Sequence, residues 1–259
     1  YLVTNLDAGA TEGFFLTLLS NIVPAELPWI SLYWVFSVIS LLMILIISIS
    51  NFPKVEIKQE EKVGIKETLE LVNKPIVWLF FLGIFCYVGT EQGVANWISE
   101  FLSKYHGYDP QTTGASTVSW FWGMMTAGTV FGLLLLKLLD SRLILISFSI
   151  GSLVFLSLAL FGSANIALYA FPALGFLISV MWPIIFSLAL NSVKEHHGSF
   201  SGILVTGIVG GAVVPLIVGS LGDVFGLKYG MLFLYLTFGY ILSIGFWAKP
   251  IVANKTINS

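Results

Sequence analysis

Apolar residues run along this chain in long unbroken blocks rather than at alternating positions. Seven blocks stand out, over residues 29–51, 75–104, 112–138, 142–162, 165–193, 200–222 and 229–249. Each reaches the roughly 20 residues a helix needs to cross the hydrocarbon core of a bilayer. Strands of a membrane barrel would instead alternate every second residue over segments of about ten. The pattern predicts an all-α polytopic membrane protein.

The stretches between the blocks are polar. Residues 1–6, "YLVTNL", read as the tail of an eighth helix. Residues 7–28 carry Asp7, Glu12, Glu26, Pro24 and Pro28 and read as an excursion outside the membrane, with a short interfacial helix over Phe14–Ile22. The connection 51–75 holds five lysines and five glutamates. Ile65, Leu69 and Val72 recur in it at helical spacing, which predicts an amphipathic surface helix.

Composition agrees with the pattern. Hydrophobic residues make up 57% of the 259 positions and charged residues only 10%, with a mean hydropathy of +0.93. A soluble domain carries about 25% charged residues, so this chain lacks the charge to cover a water-facing surface. The net charge of -2 points to no nucleic-acid partner. The single cysteine, Cys86, has no partner for an internal disulfide and reads as a small apolar filler. The chain begins at Tyr1 without a basic leader, so it holds no signal peptide and reads as a piece of a longer protein.

Positive charge orients the chain, because lysine and arginine accumulate on the cytoplasmic side of short loops. Lys54, Lys58, Lys62, Lys66, Lys74, Lys137, Arg142, Lys194, Lys249 and Lys255 fall on one set of alternate connections, and only Lys104 and Lys228 on the other. The 52–75 loop and the tail 251–259 are therefore expected to be cytoplasmic. The connections 7–28, 105–111, 163–164 and 222–228 are expected to face out. Trp29, Trp34, Trp78 and Trp247 fall near span ends, as aromatic belts do.

Glu91 is the residue that asks for a function. If 75–104 is one helix of about 30 residues, Glu91 lies near its middle, at the bilayer midplane. An ionised group there costs at least about 2.5–3.5 kcal/mol on insertion scales. It should be protonated, or meet a polar solute, a bound cation or a partner outside this chain; otherwise it is a buried acid bonded between helices. Gly89 and Gly93 bracket it, as a hinge or as close helix packing. Gln92 and Asn96 share one helix face and each offers a donor and an acceptor, which suits hydroxyl-rich solutes. Trp120 and Trp122 point about 200° apart on their helix, so only one can face a central cavity, and Trp182 could line it too. Pro183 kinks its span. Gly128 with Gly132, Gly198 with Gly202 and Gly207 with Gly211, with Pro215 in the same glycine-rich run, predict packing or rocking surfaces. His106, His196 and His197 all fall in loops or at span ends, and no hydrolase or zinc motif is present, so neither an enzyme nor a metal or cofactor site is expected.

A long charged loop separating one span from a run of six suggests half of a major facilitator transporter, in which two six-helix halves are parallel repeats. The segments "YVGTEQGVANWISEFL" (87–102), "WFWGMM" (120–125), "GFLISVMWPIIFSLAL" (175–190) and "GSFSGILVTGIVGGAVVPLIVGSLGDVFG" (198–226) resemble the fucose–galactose–glucose:proton symporter family, the fucose permease branch of the major facilitator superfamily. The resemblance covers roughly residues 75–250. It implies that 1–51 is the end of an N-terminal bundle (tail of helix 5, outside loop, helix 6). It makes 52–75 the inter-bundle loop and 76–250 the C-terminal six-helix bundle. It further implies alternating access between two halves in the plasma (cell inner) membrane, with a sugar carried alongside a proton, or sodium in some members. The site would comprise Glu91, Gln92, Asn96, Trp120 and Trp182, with Glu91 at the acidic position of the family's seventh helix and a candidate for ion coupling. The N-terminal half, absent from this chain, would be the remaining partner. At two places polar groups common in the family are replaced, by Gly128-Thr129 and by Ile178-Ser179. An exporter of other small solutes, or a sensor that binds without transport, are the other readings of the same fold.

Overall fold

The structure, a computed structural model, describes residues 5, 6, 9, 13–50 and 64–252, with the side chains of 65–67 outside that description. The expected helix tail over 1–6, Asp7, Glu12, Lys54, Lys58, Lys62 and most of the tail 251–259 fall largely or wholly outside it. Every described element is helical. The chain divides into two units, 1–56 and 57–259.

The first unit holds α1 (Phe14–Ser20) and α2 (Ile30–Ile49). Helix α1 falls on the expected interfacial stretch. It buries Leu16 and Leu19 and leaves Phe14 and Phe15 exposed. Helix α2 contains neither a charge nor a glycine, and Ser31 is its one buried residue.

The second unit begins with α3 (Ile65–Val72), α4 (Pro75–Ala95) and α5 (Ile98–His106). A π turn (Pro110–Gly114) leads into α6 (Ala115–Leu138), followed by α7 (Ser141–Phe161), α8 (Ala164–Ile178) and α9 (Met181–Leu190). Helix α10 (His197–Thr206), a 3₁₀ turn (Gly207–Val209), α11 (Gly210–Phe225), α12 (Leu227–Met231) and α13 (Phe233–Trp247) complete it. Pro75 opens α4, where its missing N–H costs nothing. Asp140 Oδ1 accepts from the Arg142 N–H and caps α7. Gly107, at φ 70°, ends α5 in the left-handed conformation a glycine tolerates.

Seven helical stretches are long and apolar enough to cross a membrane, one for each apolar block. Four of the apolar blocks are not one continuous helix, the last of them breaking at Leu232 between α12 and α13. The block 75–104 was expected as one helix, but it breaks at Asn96–Trp97. There the Trp97 indole N–H donates to the Pro215 carbonyl at 3.2 Å, and its ring occupies the space that Gly219 leaves open. The block 165–193 breaks at Ser179–Val180, four residues before Pro183, whose ring displaces the carbonyl one turn back. The third is interrupted by the 3₁₀ turn that starts at Gly207.

Helix α4 sits at the centre of the unit and packs against α9, α10, α11 and α13, while α6 packs chiefly on α8. Glycines set the close approaches. A Cβ on Gly89 would strike Val214 and stand 3.1 Å from the Gly210 carbonyl, and one on Gly93 would meet Leu234 at 2.9 Å. Gly211 faces Val88 at 2.9 Å and the Gln92 Cγ at 3.1 Å, and Gly207 faces the Phe81 carbonyl at 3.1 Å. Gly128 lies on the Phe176 carbonyl and Gly132 on Val180. Helix α4 runs unbroken through Gly89 and Gly93. Pro215 is buried within α11.

Two local expectations need correction. Gly202 has open space beside it, so among the described residues no close helix contact runs through it. In α3, Leu69 is 60% exposed and Leu71 is fully buried. The helix is wedged against α10 and α4, with the Trp78 indole N–H bonded to the Val72 carbonyl at 2.8 Å. Its burial therefore centres on Leu71 rather than on Leu69.

Candidate functional site

Tyr87 and Glu91 are one helical turn apart on α4, so their side chains meet. The Tyr87 hydroxyl donates to Glu91 Oε2 at 2.7 Å, and Gln92 Nε2 donates to Oε1 at 3.1 Å. Tyr87 is buried, while Glu91 and Gln92 are half-buried. Among the described residues no lysine or arginine pairs with Glu91; the ion pair found there is Arg142–Asp140 at 3.4 Å. A carboxylate has about four acceptor positions, and two neutral donors occupy two of them. The remaining positions can accept hydroxyls of a solute, take a proton or bind a cation.

Aromatic rings continue the site onto α9. The Tyr87 and Trp182 rings lie 5.9 Å apart at 58°, and Trp182 stacks on Phe186 at 6.0 Å and 15°. Trp182 stands in the first turn after the break at Ser179–Val180, next to Pro183. On another side of α4, the Thr90 hydroxyl donates to Thr237 at 2.6 Å and ties α4 to α13.

The structure therefore gathers Glu91, Gln92 and, through Tyr87, Trp182. Asn96 is exposed at the last turn of α4, and the break beside it moves Glu91 from the expected mid-helix position to four residues before the end of α4. Trp120 is 65% exposed on α6. Trp122 is 37% exposed and edge-on to Phe121 at 5.4 Å. Neither Asn96 nor Trp120 bonds or stacks with the Glu91 group among the described residues.

Residues 8–213 match the family profile of the Major Facilitator Superfamily. The chain belongs to that superfamily. It is 35% identical over 170 residues to a glucose/galactose transporter of Brucella abortus, covering 63% of this chain and 40% of that protein. A putative glucose/galactose transporter of Helicobacter pylori is 31% identical over 205 residues, covering 79% and 48%. The crystal structure of the fucose:proton symporter of E. coli shares the fold, with a TM-score of 0.71 at 20% identity, over 87% of this chain and 56% of that one. The chain spans about half the length of the curated relatives it matches.

Two residues of this candidate site were not singled out in the sequence. Tyr87 and Phe186 stand one turn from Glu91 and from Trp182, and that spacing was a legible signal. Thr237 lies 147 positions from Thr90, and nothing local announces the pair.

Proposed function

We propose that this chain is part of a secondary active transporter that moves a sugar or similar small polar solute across the plasma membrane by alternating access. Residues 76–250 would be its C-terminal bundle, 52–75 the cytoplasmic inter-bundle loop, and 1–51 the end of the other bundle. The observation that carries the reading is the Glu91 carboxylate, held by Tyr87 and Gln92 beside the Tyr87–Trp182–Phe186 rings. A sugar ring needs both surfaces: acceptors for its hydroxyls and an aromatic face for its C–H side. The names of the relatives support the same solute class, and the fucose:proton symporter among them supports a proton as the coupling ion.

In this mechanism Gln92 and Tyr87 hold the carboxylate in one orientation. Glu91 accepts from the solute or takes the coupling proton, and Trp182 stacks on the ring. Asn96 and Trp120, exposed in this unit, would contact the solute from the edges of the cavity. The glycine-lined contacts of α4 with α11 and of α6 with α8 would be the rigid seams that keep the bundle together as it rocks.

The test is uptake by the full-length protein in proteoliposomes, with radiolabelled glucose, galactose and fucose, under an imposed proton gradient and then a sodium gradient. Gradient-driven uptake is expected. Glu91→Gln should lower it about 10-fold or more, the worth of a hydrogen bond to a charged group. Uptake that survives in Glu91→Gln would remove Glu91 from the solute path. No uptake of any sugar under either gradient would sink the reading in favour of export or sensing.

A further inference from the structure

Past Trp182, α9 runs on as a half-helix to Leu190. A groove of about 670 Å³ lies along it, with Trp182, Phe186, Ser187, Asn191, His197 and Val252 among its lining residues. This volume falls within the roughly 300–1,000 Å³ of small-molecule sites. Its walls divide chemically. Trp182 and Phe186 present nearly parallel rings, while Ser187 and His197 present an exposed hydroxyl and an exposed imidazole. None of the described lining residues is Asp, Glu, Lys or Arg, so the groove suits an uncharged solute with hydroxyls and an apolar face.

The far end of the groove is floored by the segment that follows α13. The Asn191 carbonyl accepts from the Ile251 N–H at 2.8 Å. The Asn191 side chain accepts from the Val252 N–H at 3.1 Å and donates to the Val252 carbonyl at 2.6 Å. Asn191 thus uses its amide on both backbone groups of one residue. At the other end of the strap, Arg142 Nη1 reaches the Ala248 carbonyl at 3.5 Å. Residues 248–252 therefore form a strap between α7 and the end of α9.

We propose that this groove is a second solute subsite, on the side of Glu91 that the charge pattern makes cytoplasmic, with the 248–252 strap as its floor and Asn191 as the residue that positions the strap. The inference rests on the transport reading above and names a staging place for the same class of solute, a neutral polyhydroxylated ring. The ring stacks on Phe186, Ser187 and His197 take its hydroxyls, and Val252 closes the apolar side.

The experiment uses the full-length protein in right-side-out and inside-out membrane vesicles, with whichever of radiolabelled glucose, galactose or fucose the wild type carries. Ser187→Val removes one hydroxyl from an exposed position, and Asn191→Leu removes two of the three strap bonds. Each variant should raise the apparent KM measured from the cytoplasmic face about 2- to 10-fold, the worth of one neutral hydrogen bond. The KM from the outer face should stay within about twofold of wild type. A KM change equal on both faces, or on neither, for Ser187→Val overturns the subsite even if Asn191→Leu fails to insert. No carriage by the wild type overturns the transport reading itself, a separate failure seen before any variant is compared.

Discussion

Helices α2 and α4 are nearly the same length and both apolar enough to cross a bilayer, yet they use their polar residues in opposite ways. In α2, Ser37, Ser40 and Ser48 each donate to the carbonyl four residues back, so every one of these hydroxyls is satisfied within its own helix. In α4 the Thr90 hydroxyl reaches Thr237 on α13, while Tyr87 and Gln92 converge on the Glu91 carboxylate of their own helix. Helix α2 contains no glycine, while α4 brings Gly83, Gly89 and Gly93 against neighbouring side chains. Hydropathy alone says that both helices belong in lipid. Small residues and a polar bond to a neighbouring helix mark α4, at the centre of the second unit.

The largest effect should come from closing the glycine seam. Gly89→Leu puts a side chain where Val214 already stands, and overpacking of this kind costs about 3 kcal/mol. Thermal unfolding in detergent should show a marked loss, and adding Val214→Ala to the milder Gly89→Ala should recover part of its smaller loss. Unchanged unfolding of Gly89→Leu would mean that α4 and α11 are not in close contact.

Next comes the Thr90–Thr237 pair. A double-mutant cycle with Thr90→Val and Thr237→Val should give a coupling of about 0.6 kcal/mol, the average for polar contacts between membrane helices. A coupling of zero would reduce the pair to two hydroxyls satisfied on their own helices, as in α2. Ser40→Ala in α2 should change stability by less than about 0.5 kcal/mol. A clearly larger loss, measured in the full-length protein, would show that α2 meets a partner beyond this chain and would narrow the contrast.

The smallest effect is a pH dependence at the end of α5. Burial, and then the nearby Lys228 charge, hold the His106 imidazole below its ordinary titration range. The folded state thus takes up this proton less readily than the unfolded chain does. Stability from this residue is present above the ordinary histidine value of about 6.5 and falls as the pH drops below it toward the lowered folded value. His106→Asn should flatten the melting temperature between about pH 5 and 7 relative to wild type. An identical pH profile in the variant would remove His106 as its source.

The seven spans were legible because crossing lipid is a matter of run length, and run length is local. The break at Pro183 was legible for a similar reason, since proline carries its defect with it. The break at Asn96–Trp97 was not, because the side chain at the break docks on Pro215 and Gly219, more than a hundred residues away. The same limit applies to Gly210. The sequence paired Gly207 with Gly211, yet Gly210 is the one that meets the Phe85 backbone. Glu91 stood out by its charge and Tyr87 stands one turn from it, while Trp182 came to the group only through the packing of α9 against α4.

Helix α9 is in mechanical terms a short rod with a loose joint at one end and a rope tied to the other. From Trp182 to Asn191 it is about 14 Å long. Tension on the strap at Ile251 and Val252 would be felt at the Trp182 ring beside Tyr87, with little absorbed on the way. A fluorescent or affinity handle placed on this strap would therefore hang on a lever, and should alter the candidate site at Glu91 more than the same handle in the 52–75 loop.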